Sequence, residues 1–187
     1  MEVKTVYFTK HGTENTDETL HIARQRAEDL GIKTILVAST TGDTAARAVR
    51  VFSGMKVIAV SHAAGMREPN TQEFTDENKG IVESMGGTVL TITHAFAGVS
   101  RAMRKKFETS VIGDIIAYTL RVFGQGIKVV CEIALMAADS GLVRTDQDII
   151  SIAGTSGGAD TAVVLAPVNS HNFFDLKVKE ILCKPHF

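Results

Sequence analysis

The sequence predicts an α/β domain with a doubly wound, mostly parallel sheet, and three features carry this prediction. Short apolar runs rich in β-branched residues alternate with helical patterns along most of the 187 residues. These runs are apolar on both faces, as strands buried in a parallel sheet are. Near the C-terminus three runs follow one another with only short turns between them, which indicates an antiparallel C-terminal edge. We expect a single domain over residues 1–187, with extra helices.

The first half contains four predicted strands and three predicted helices. The strands cover residues 3–9, 34–38, 57–60 and 89–92. In the first helix, Asn15 and Glu18 have the spacing of a capping box, and Gly31 stands where a helix ends. The second and third helical patterns cover residues 44–53 and 76–85. Strand, helix and strand in this rhythm form βαβ units with right-handed crossovers.

Two helical patterns and three strand patterns fill the second half. The helices, residues 110–123 and 126–142, are apolar on more than one face. Such helices either cover a sheet face or form a contact between subunits, so a homo-oligomer is left open. Strands are predicted at residues 148–153, 162–166 and 175–182.

Composition excludes several classes of protein. The net charge is −1, from 20 basic and 21 acidic residues, so the general basic footprint of a nucleic-acid-binding protein is missing. The longest apolar stretch, residues 127–143, contains Lys128, Glu132 and Asp139, and we expect no membrane partner. Cys131 and Cys183 form no metal or redox motif and are typical of a reducing compartment. We therefore expect a cytoplasmic protein.

The predicted sheet also indicates where a ligand would bind. In open α/β sheets, ligands bind beyond the carboxyl ends of the strands. The segments that follow the predicted strands contain His11, His62 and His94, and a meeting of the three above the sheet would suggest a metal site. However, the spacing of ligands typical of metal sites is missing, so separate hydrogen-bonding roles are favoured and no metal is expected.

The segment after the second strand has the composition of a phosphate-binding turn. Hydroxyl side chains surround a glycine at the start of a predicted helix, in the order Ser39, Thr40, Thr41, Gly42, Asp43, Thr44. Hydroxyls, free backbone N–H groups and the positive end of the helix dipole are what a phosphate needs. The same residues are also common in helix caps and surface turns, and residue chemistry leaves both interpretations open.

Two other motifs are alternatives to the phosphate-binding turn as the functional site. Residues 154–158 spell G-x-S-x-G, but a nucleophile elbow needs a helix after this motif, and residues 162–166 are strand-like. A basic cluster (Arg101, Arg104, Lys105, Lys106) precedes a predicted helix and is either a solvated face, an anion clamp or a subunit contact. Walker and dinucleotide-binding motifs are absent, which disfavours ATP hydrolysis and a standard NAD fold.

Two segments resemble the C-terminal α/β domain of pyruvate kinase. They are residues 36–61, LVASTTGDTAARAVRVFSGMKVIAVS, and residues 157–167, GGADTAVVLAP. In that family the first segment is a Ser/Thr-Gly turn, a short helix and a strand, and the turn holds a phosphate of the allosteric sugar bisphosphate. The sequence lacks the catalytic barrel, the substrate-binding carboxylates and the lysine of the kinase, so the resemblance does not imply kinase activity.

Residues 62–74 and 127–142 resemble instead a stand-alone family of archaeal and bacterial proteins built on this domain. Members of that family carry flavin mononucleotide (FMN). The resemblance implies that the FMN phosphate lies at residues 39–44. It also implies that the flavin ring and the ribityl chain lie near two further groups of residues, the ring near the first group and the chain near the second. These groups are His62, Gly65, Met66 and Arg67, and Thr155, Gly157, Gly158, Asp160 and Thr161.

Some residue chemistry agrees with this layout. Gly65 allows a close approach to a flat ring, Met66 offers a soft apolar contact, and His62 or Arg67 brings a donor or charge near the flavin. A mobile surface loop with a turn at Pro69 and Asn70 is the alternative.

The sequence therefore predicts two candidate functions. The first is an FMN-binding protein, with flavin redox chemistry left open. The second is a non-catalytic sensor for a sugar phosphate or a similar metabolite. An apolar slot beside residue 62 would favour flavin, and a small cationic pocket would favour a sugar phosphate.

Overall fold

A computed structural model, which describes residues 2–187, shows a single seven-stranded sheet with helices on both faces. The strands are β1 (Val6–Phe8), β2 (Thr34–Ala38), β3 (Lys56–Val60), β4 (Thr88–Leu90), β5 (Ile149–Ala153), β6 (Thr161–Ala166) and β7 (Lys177–Pro185). The helices are α1 (Thr16–Leu30), α2 (Asp43–Val51), α3 (Asp76–Ser84), α4 (Gly98–Phe107), α5 (Ile112–Arg121) and α6 (Gln125–Asp139). Short 3-10 turns cover Thr13–Asn15 and Ser170–Asp175.

The strand order is β1-β7-β6-β5-β2-β3-β4. Strands β5, β2, β3 and β4 are parallel, and β1 is parallel to β7. The C-terminal strand β6 is antiparallel to both of its neighbours, β5 and β7. This arrangement confirms the predicted fold class, a mostly parallel sheet with antiparallel pairing in the C-terminal part. Because β1 adds outside β7, β7 also has a neighbour on each side.

Each face of the sheet is covered by its own helices. On one face, Leu20 of α1, Val49 of α2 and Val82 of α3 share a core with the strands. On the other face, Val130 and Ile133 of α6 share a second core with the sheet. The chain changes face between β4 and β5, and β5 then pairs with β2, the strand from which the series β2-β3-β4 begins. The point where the strand order reverses therefore lies between β2 and β5.

The start of α1 differs from the prediction. Its N-cap is Asn15, but the Asn15 side chain makes no cap hydrogen bond, and the predicted capping box with Glu18 is wrong. Asn15 Nδ2 instead donates to the carbonyl oxygen of Lys10 at 2.9 Å, which holds the loop before the helix. The predicted end is confirmed, since Gly31 closes the helix with a φ of 68°.

The two long apolar helices have different environments. Helix α6 is buried along most of its length, as expected for a helix that covers a sheet face. In α5, Gly113, Asp114 and Ala117 are buried, whereas Ile115 and Tyr118 are exposed. One face of α5 is therefore apolar and is not covered by residues 2–187, and the homo-oligomer stays a prediction.

The basic cluster lies inside a helix that the sequence analysis missed. Arg101 and Arg104 belong to α4, which begins at Gly98, and the cluster also precedes α5, as predicted. The helix ends where Glu108 adopts a φ of 50°. It buries no residue fully, although Val99, Ala102, Met103 and Phe107 recur at helical spacing.

Two further expectations concern membranes and cysteines. Within residues 2–187, no helix combines the length and apolar character that crossing a membrane requires. Cys131 and Cys183 are free, buried thiols on opposite faces of the sheet. Burial raises the pKa of each thiol to about 12, so both are protonated at neutral pH.

Candidate functional site

A cleft of about 970 Å³ opens at the carboxyl ends of β2, β3, β4 and β5. The loops after these strands form one side, and residues of α4, α5 and α6 form the other. This is the point where the strand order reverses, which is where open α/β sheets bind their ligands. The volume lies within the range of about 300–1,000 Å³ that is usual for small-molecule sites.

The turn after β2 forms one end of the cleft. Helix α2 begins at Asp43, and Thr40, Thr41 and Thr44 line the cleft beside its first turn. Ser39 Oγ accepts a hydrogen bond from the backbone N–H of Ala45 at 3.3 Å. The hydroxyls and the N-terminus of α2 therefore face the same space, as the phosphate-binding interpretation requires.

Gly42 shapes this turn without lining the cleft. It has a φ of 96°, and a Cβ there would lie 2.5 Å from the Asn78 Cβ and 2.7 Å from the Phe74 Cε1. Asn78 and Thr75 also hold the turn, since Asn78 Nδ2 and the Thr75 N–H both donate to the Thr41 carbonyl oxygen. Glycine is thus required by the packing of the turn on α3.

We expect Gly42→Ala to destabilise the fold more than Gly31→Ala. Both glycines have a positive φ, which costs an alanine about 1–2 kcal/mol, but no atom of residues 2–187 lies within 4 Å of a Cβ at Gly31. The close contacts at Gly42 add about 1–3 kcal/mol. Urea denaturation of both variants measures the difference, and equal free energies of unfolding would refute the steric argument.

The glycine-rich loop after β5 forms another part of the cleft. Gly154, Ser156, Gly157 and Gly158 line it. The loop is held from behind by Asp160, a fully buried residue whose Oδ2 accepts from the N–H groups of Gly12 at 2.9 Å and Thr155 at 3.0 Å. Strand β6 follows this loop, so the strand-to-helix context of a nucleophile elbow is missing here.

Ten of the fifteen predicted site residues line the cleft: Ser39, Thr40, Thr41, Asp43, Thr44, His62, Met66, Arg67, Gly157 and Gly158. Five do not: Gly42, Gly65, Thr155, Asp160 and Thr161. The five have structural roles close by, as Gly42 and Asp160 illustrate. Thr161, for example, donates to Asp160 Oδ1 at 2.8 Å and is almost fully buried.

Two of the three histidines considered above meet in the cleft. The rings of His62 and His94 are 5.5 Å apart between centroids, whereas His11 is exposed and lies outside the cleft. Glu73 holds the loop of His62, because its two oxygens lie 2.7 Å from His62 Nδ1 and 2.7 Å from Arg67 Nε. No group of three or more potential metal ligands occurs within residues 2–187.

A buried ionic cluster that was not predicted from the sequence lies at the floor of the cleft. Lys128 and Glu132, one turn apart on α6, form an ion pair and are 7% and 3% exposed. The second oxygen of Glu132 accepts from the backbone N–H of Phe96 at 3.0 Å, and His94 Nδ1 lies 3.6 Å from Glu132. The sequence feature that indicates this cluster is a Lys-Glu pair at i, i+4 spacing inside an otherwise apolar helix.

Burial alone would raise the pKa of Glu132, but His94 and the charge of Lys128 outweigh burial and lower that pKa from 4.5 to about 2. The unfolded chain therefore binds more protons than the native protein between these values. We expect the stabilisation from ionised Glu132 to be complete above about pH 4.5 and to be lost as the pH falls toward 2. Unfolding free energies measured against pH should fall less steeply in Glu132→Gln, and parallel curves would contradict this prediction.

The cleft is richer in cations than in anions. Its lining contains five cations, Arg67, Arg101, Arg104, Arg121 and Lys128, and three carboxylates, Asp43, Asp114 and Glu132. Arg104 pairs with Asp114. Within residues 2–187, neither Arg101 nor Arg121 has a carboxylate within 4.0 Å; Arg121 donates to Gln125 Oε1 at 2.7 Å. This excess of positive charge favours an anionic ligand.

The fold and the cleft together define a doubly wound α/β domain with a candidate anion site at its switch point. The family model of the pyruvate kinase alpha/beta domain matches residues 17–165. The chain belongs to this family.

Solved pyruvate kinases show a weaker likeness. One from Cryptosporidium parvum has 12% sequence identity over 82% of this chain and 23% of its own, with a TM-score of 0.43. A pyruvate kinase from the same organism in complex with ADP has 12% identity over 89% of this chain and 23% of its own, with a TM-score of 0.38. The chain thus spans less than a quarter of either enzyme.

Proposed function

We propose that this protein binds FMN in the cleft, with the phosphate at residues 39–44. The observation that carries this proposal is the turn itself, in which three threonines line the cleft beside the N-terminus of α2. A phosphate monoester fits such a turn because hydroxyls and backbone N–H groups donate to its oxygens and the helix dipole favours its charge. The remaining volume of the cleft accommodates a ligand much larger than phosphate.

The rest of the lining supports a flavin in two ways. Gly157 and Gly158 bring backbone groups close to where a ribityl chain would lie. Apolar side chains of Met66, Phe96 and Met136 offer contacts for a flat ring. FMN supplies hydride and electron transfer when bound.

The direct test is a visible absorption spectrum of the freshly purified protein, followed by chromatography of what heat releases. We expect a flavin spectrum and released FMN. If the protein is colourless, calorimetric titration with FMN is the second step. A colourless protein that also fails to bind added FMN would refute the proposal.

We expect His62→Ala to weaken FMN binding or to shift the flavin midpoint potential. The His62 ring is 36% exposed, lines the cleft and is held by Glu73, so a polar imidazole would lie near the ring of the flavin. Calorimetry and a redox titration measure the two effects. His171→Ala serves as the control because His171 is exposed and outside the cleft. Equal affinity and potential in wild type and His62→Ala would remove His62 from the site.

A second candidate is a sensor for a metabolite with two anionic groups, such as a sugar bisphosphate. The observation in its favour is the pair of cleft arginines without carboxylate partners within residues 2–187, Arg101 and Arg121. A second phosphate would complement this charge. FMN and a sugar phosphate would compete for the same turn. Calorimetric titrations with FMN and with sugar phosphates therefore distinguish the candidates by their affinities.

A further inference from the structure

We propose that the cleft contains a second subsite, in which His94 exchanges a proton with a small anionic molecule that Arg101 contacts. This goes beyond FMN binding and does not depend on it, because the subsite uses none of residues 39–44. It lies at the ends of β3 and β4, whereas the phosphate turn follows β2.

The orientation of His94 indicates which of its nitrogens is available. Nδ1 faces the carboxylate of Glu132 at 3.6 Å. A carboxylate on one side of an imidazole favours the tautomer with its proton on that side, which leaves the other nitrogen with a free lone pair. His94 Nε2 is buried and has no hydrogen-bond partner among residues 2–187. A buried polar atom without a partner needs an explanation, and a proton donor on a bound molecule would supply one.

The burial of Lys128 and Glu132 is better explained by a role in the site than by stability. Replacing a buried ion pair with well-packed apolar residues is often neutral or stabilising. Helix α6 is otherwise apolar on its buried face, yet it places this pair in the lining of the cleft. Glu132 is also fixed by the backbone N–H of Phe96. Lys128 and Glu132 are therefore positioning residues, which hold a negative charge beside His94 Nδ1.

Arg101 indicates the charge of the molecule. Its Nη1 contacts Met66 Sδ at 2.7 Å, which places it beside the loop of His62, and the His62 ring lies next to His94. Since no carboxylate within residues 2–187 lies within 4.0 Å of Arg101, its charge is available to a ligand. The ligand class is thus a small carboxylate or phosphate that also carries an acidic proton.

The chemical step is a proton transfer with no net oxidation. The bond between the acidic proton and the ligand breaks, its electron pair stays on the ligand, and the proton forms a bond with His94 Nε2. The resulting imidazolium is stabilised by Glu132. Return of the proton to the same or a neighbouring atom completes an exchange or an isomerisation, so no co-reactant is required.

The first test is nitrogen NMR of the histidine rings in the full-length protein. We expect neutral His94 to carry its proton on Nδ1, and the Glu132→Gln variant to contain less of this tautomer while staying folded. A merely structural Glu132 would not change the tautomer. A wild-type His94 that carries its proton on Nε2, or an unchanged tautomer in Glu132→Gln, would overturn the proposal.

The second test uses glycolate and inorganic phosphate as separate probes, because each combines an anionic group with an O–H donor. We expect at least one of them to shift the His94 signals saturably, with a Kd of about 1–10 mM, as small anions with few contacts bind. Arg101→Gln should weaken this binding at least about five-fold, the loss of one charge-assisted contact. Lys105→Gln, on the same helix but exposed and outside the cleft, should leave it unchanged.

The outcomes separate this inference from FMN binding. Both titrations are run with and without FMN, whose binding is read from its absorbance. Failure of FMN to bind, with the His94 response intact, refutes the proposed function alone. No His94 response to either anion, or equal responses in wild type and Arg101→Gln, refutes the second subsite.

Discussion

The double variant Thr40→Val/Thr44→Val is expected to weaken FMN binding by about 100-fold or more. Both hydroxyls line the cleft beside the first turn of α2, and Thr44 is only 5% exposed. A hydrogen bond to a charged group contributes about 1.5–3 kcal/mol, and each 1.4 kcal/mol changes the dissociation constant about ten-fold. Valine has nearly the shape of threonine, so the space available to the phosphate is preserved. Calorimetric titration with FMN measures the loss.

The matched control is Thr34→Val, at the opposite end of β2. It makes the same chemical change in the same strand, far from the carboxyl ends, and strands accept valine readily. We expect Thr34→Val to bind FMN as the wild type does. If the double variant also binds FMN at full strength, the phosphate lies elsewhere in the cleft.

The second large effect is expected for Lys128→Met, which should lower the free energy of unfolding by about 3–5 kcal/mol. Glu132 would remain buried with its compensating charge removed, and a single buried charge left in this way is strongly destabilising. Urea denaturation at neutral pH measures the change, and a variant as stable as the wild type would contradict the prediction.

The double variant Lys128→Met/Glu132→Leu separates the effect of the ion pair on stability from its effect on the His94 tautomer. Removing both charges should recover most of the stability, apart from about 1–3 kcal/mol for the Phe96 N–H that loses its acceptor. At the same time the Nδ1 proton preference of His94 should disappear. A double variant as unstable as the single one would show that the fold itself needs the ion pair.

Local sequence patterns predicted the bounds of an element correctly where the residues of that segment determine its structure by themselves. The strand β2 occupies the predicted residues 34–38, because a run of buried β-branched and aliphatic residues has few alternatives. Gly31 ends α1 as expected, since a left-handed residue there favours glycine. Asn15 is the contrasting case: its spacing to Glu18 fits a capping box, but the loop at Lys10 takes its side chain.

The candidate site likewise contains some residues that a local sequence pattern predicts and others that no local pattern predicts. The turn at residues 39–44 is visible in the sequence because consecutive residues supply its hydroxyls and its helix start. Glu73, Glu132 and Arg101 are far from it along the chain, and no local pattern connects them. Lys128 and Glu132 were noted only as charges that interrupt an apolar stretch, although they lie at the floor of the cleft.

The sequence by itself therefore determined the fold class, the order of the elements other than α4, and the turn after β2, since all three follow from spacing between neighbouring residues. Only the tertiary structure decided that β6 lies between β5 and β7, that His94 meets His62, and that Asp160 braces a loop rather than lining the cleft. The physical reason is that burial and charge pairing depend on contacts between distant segments, which form only when the sheet and its two helical layers assemble.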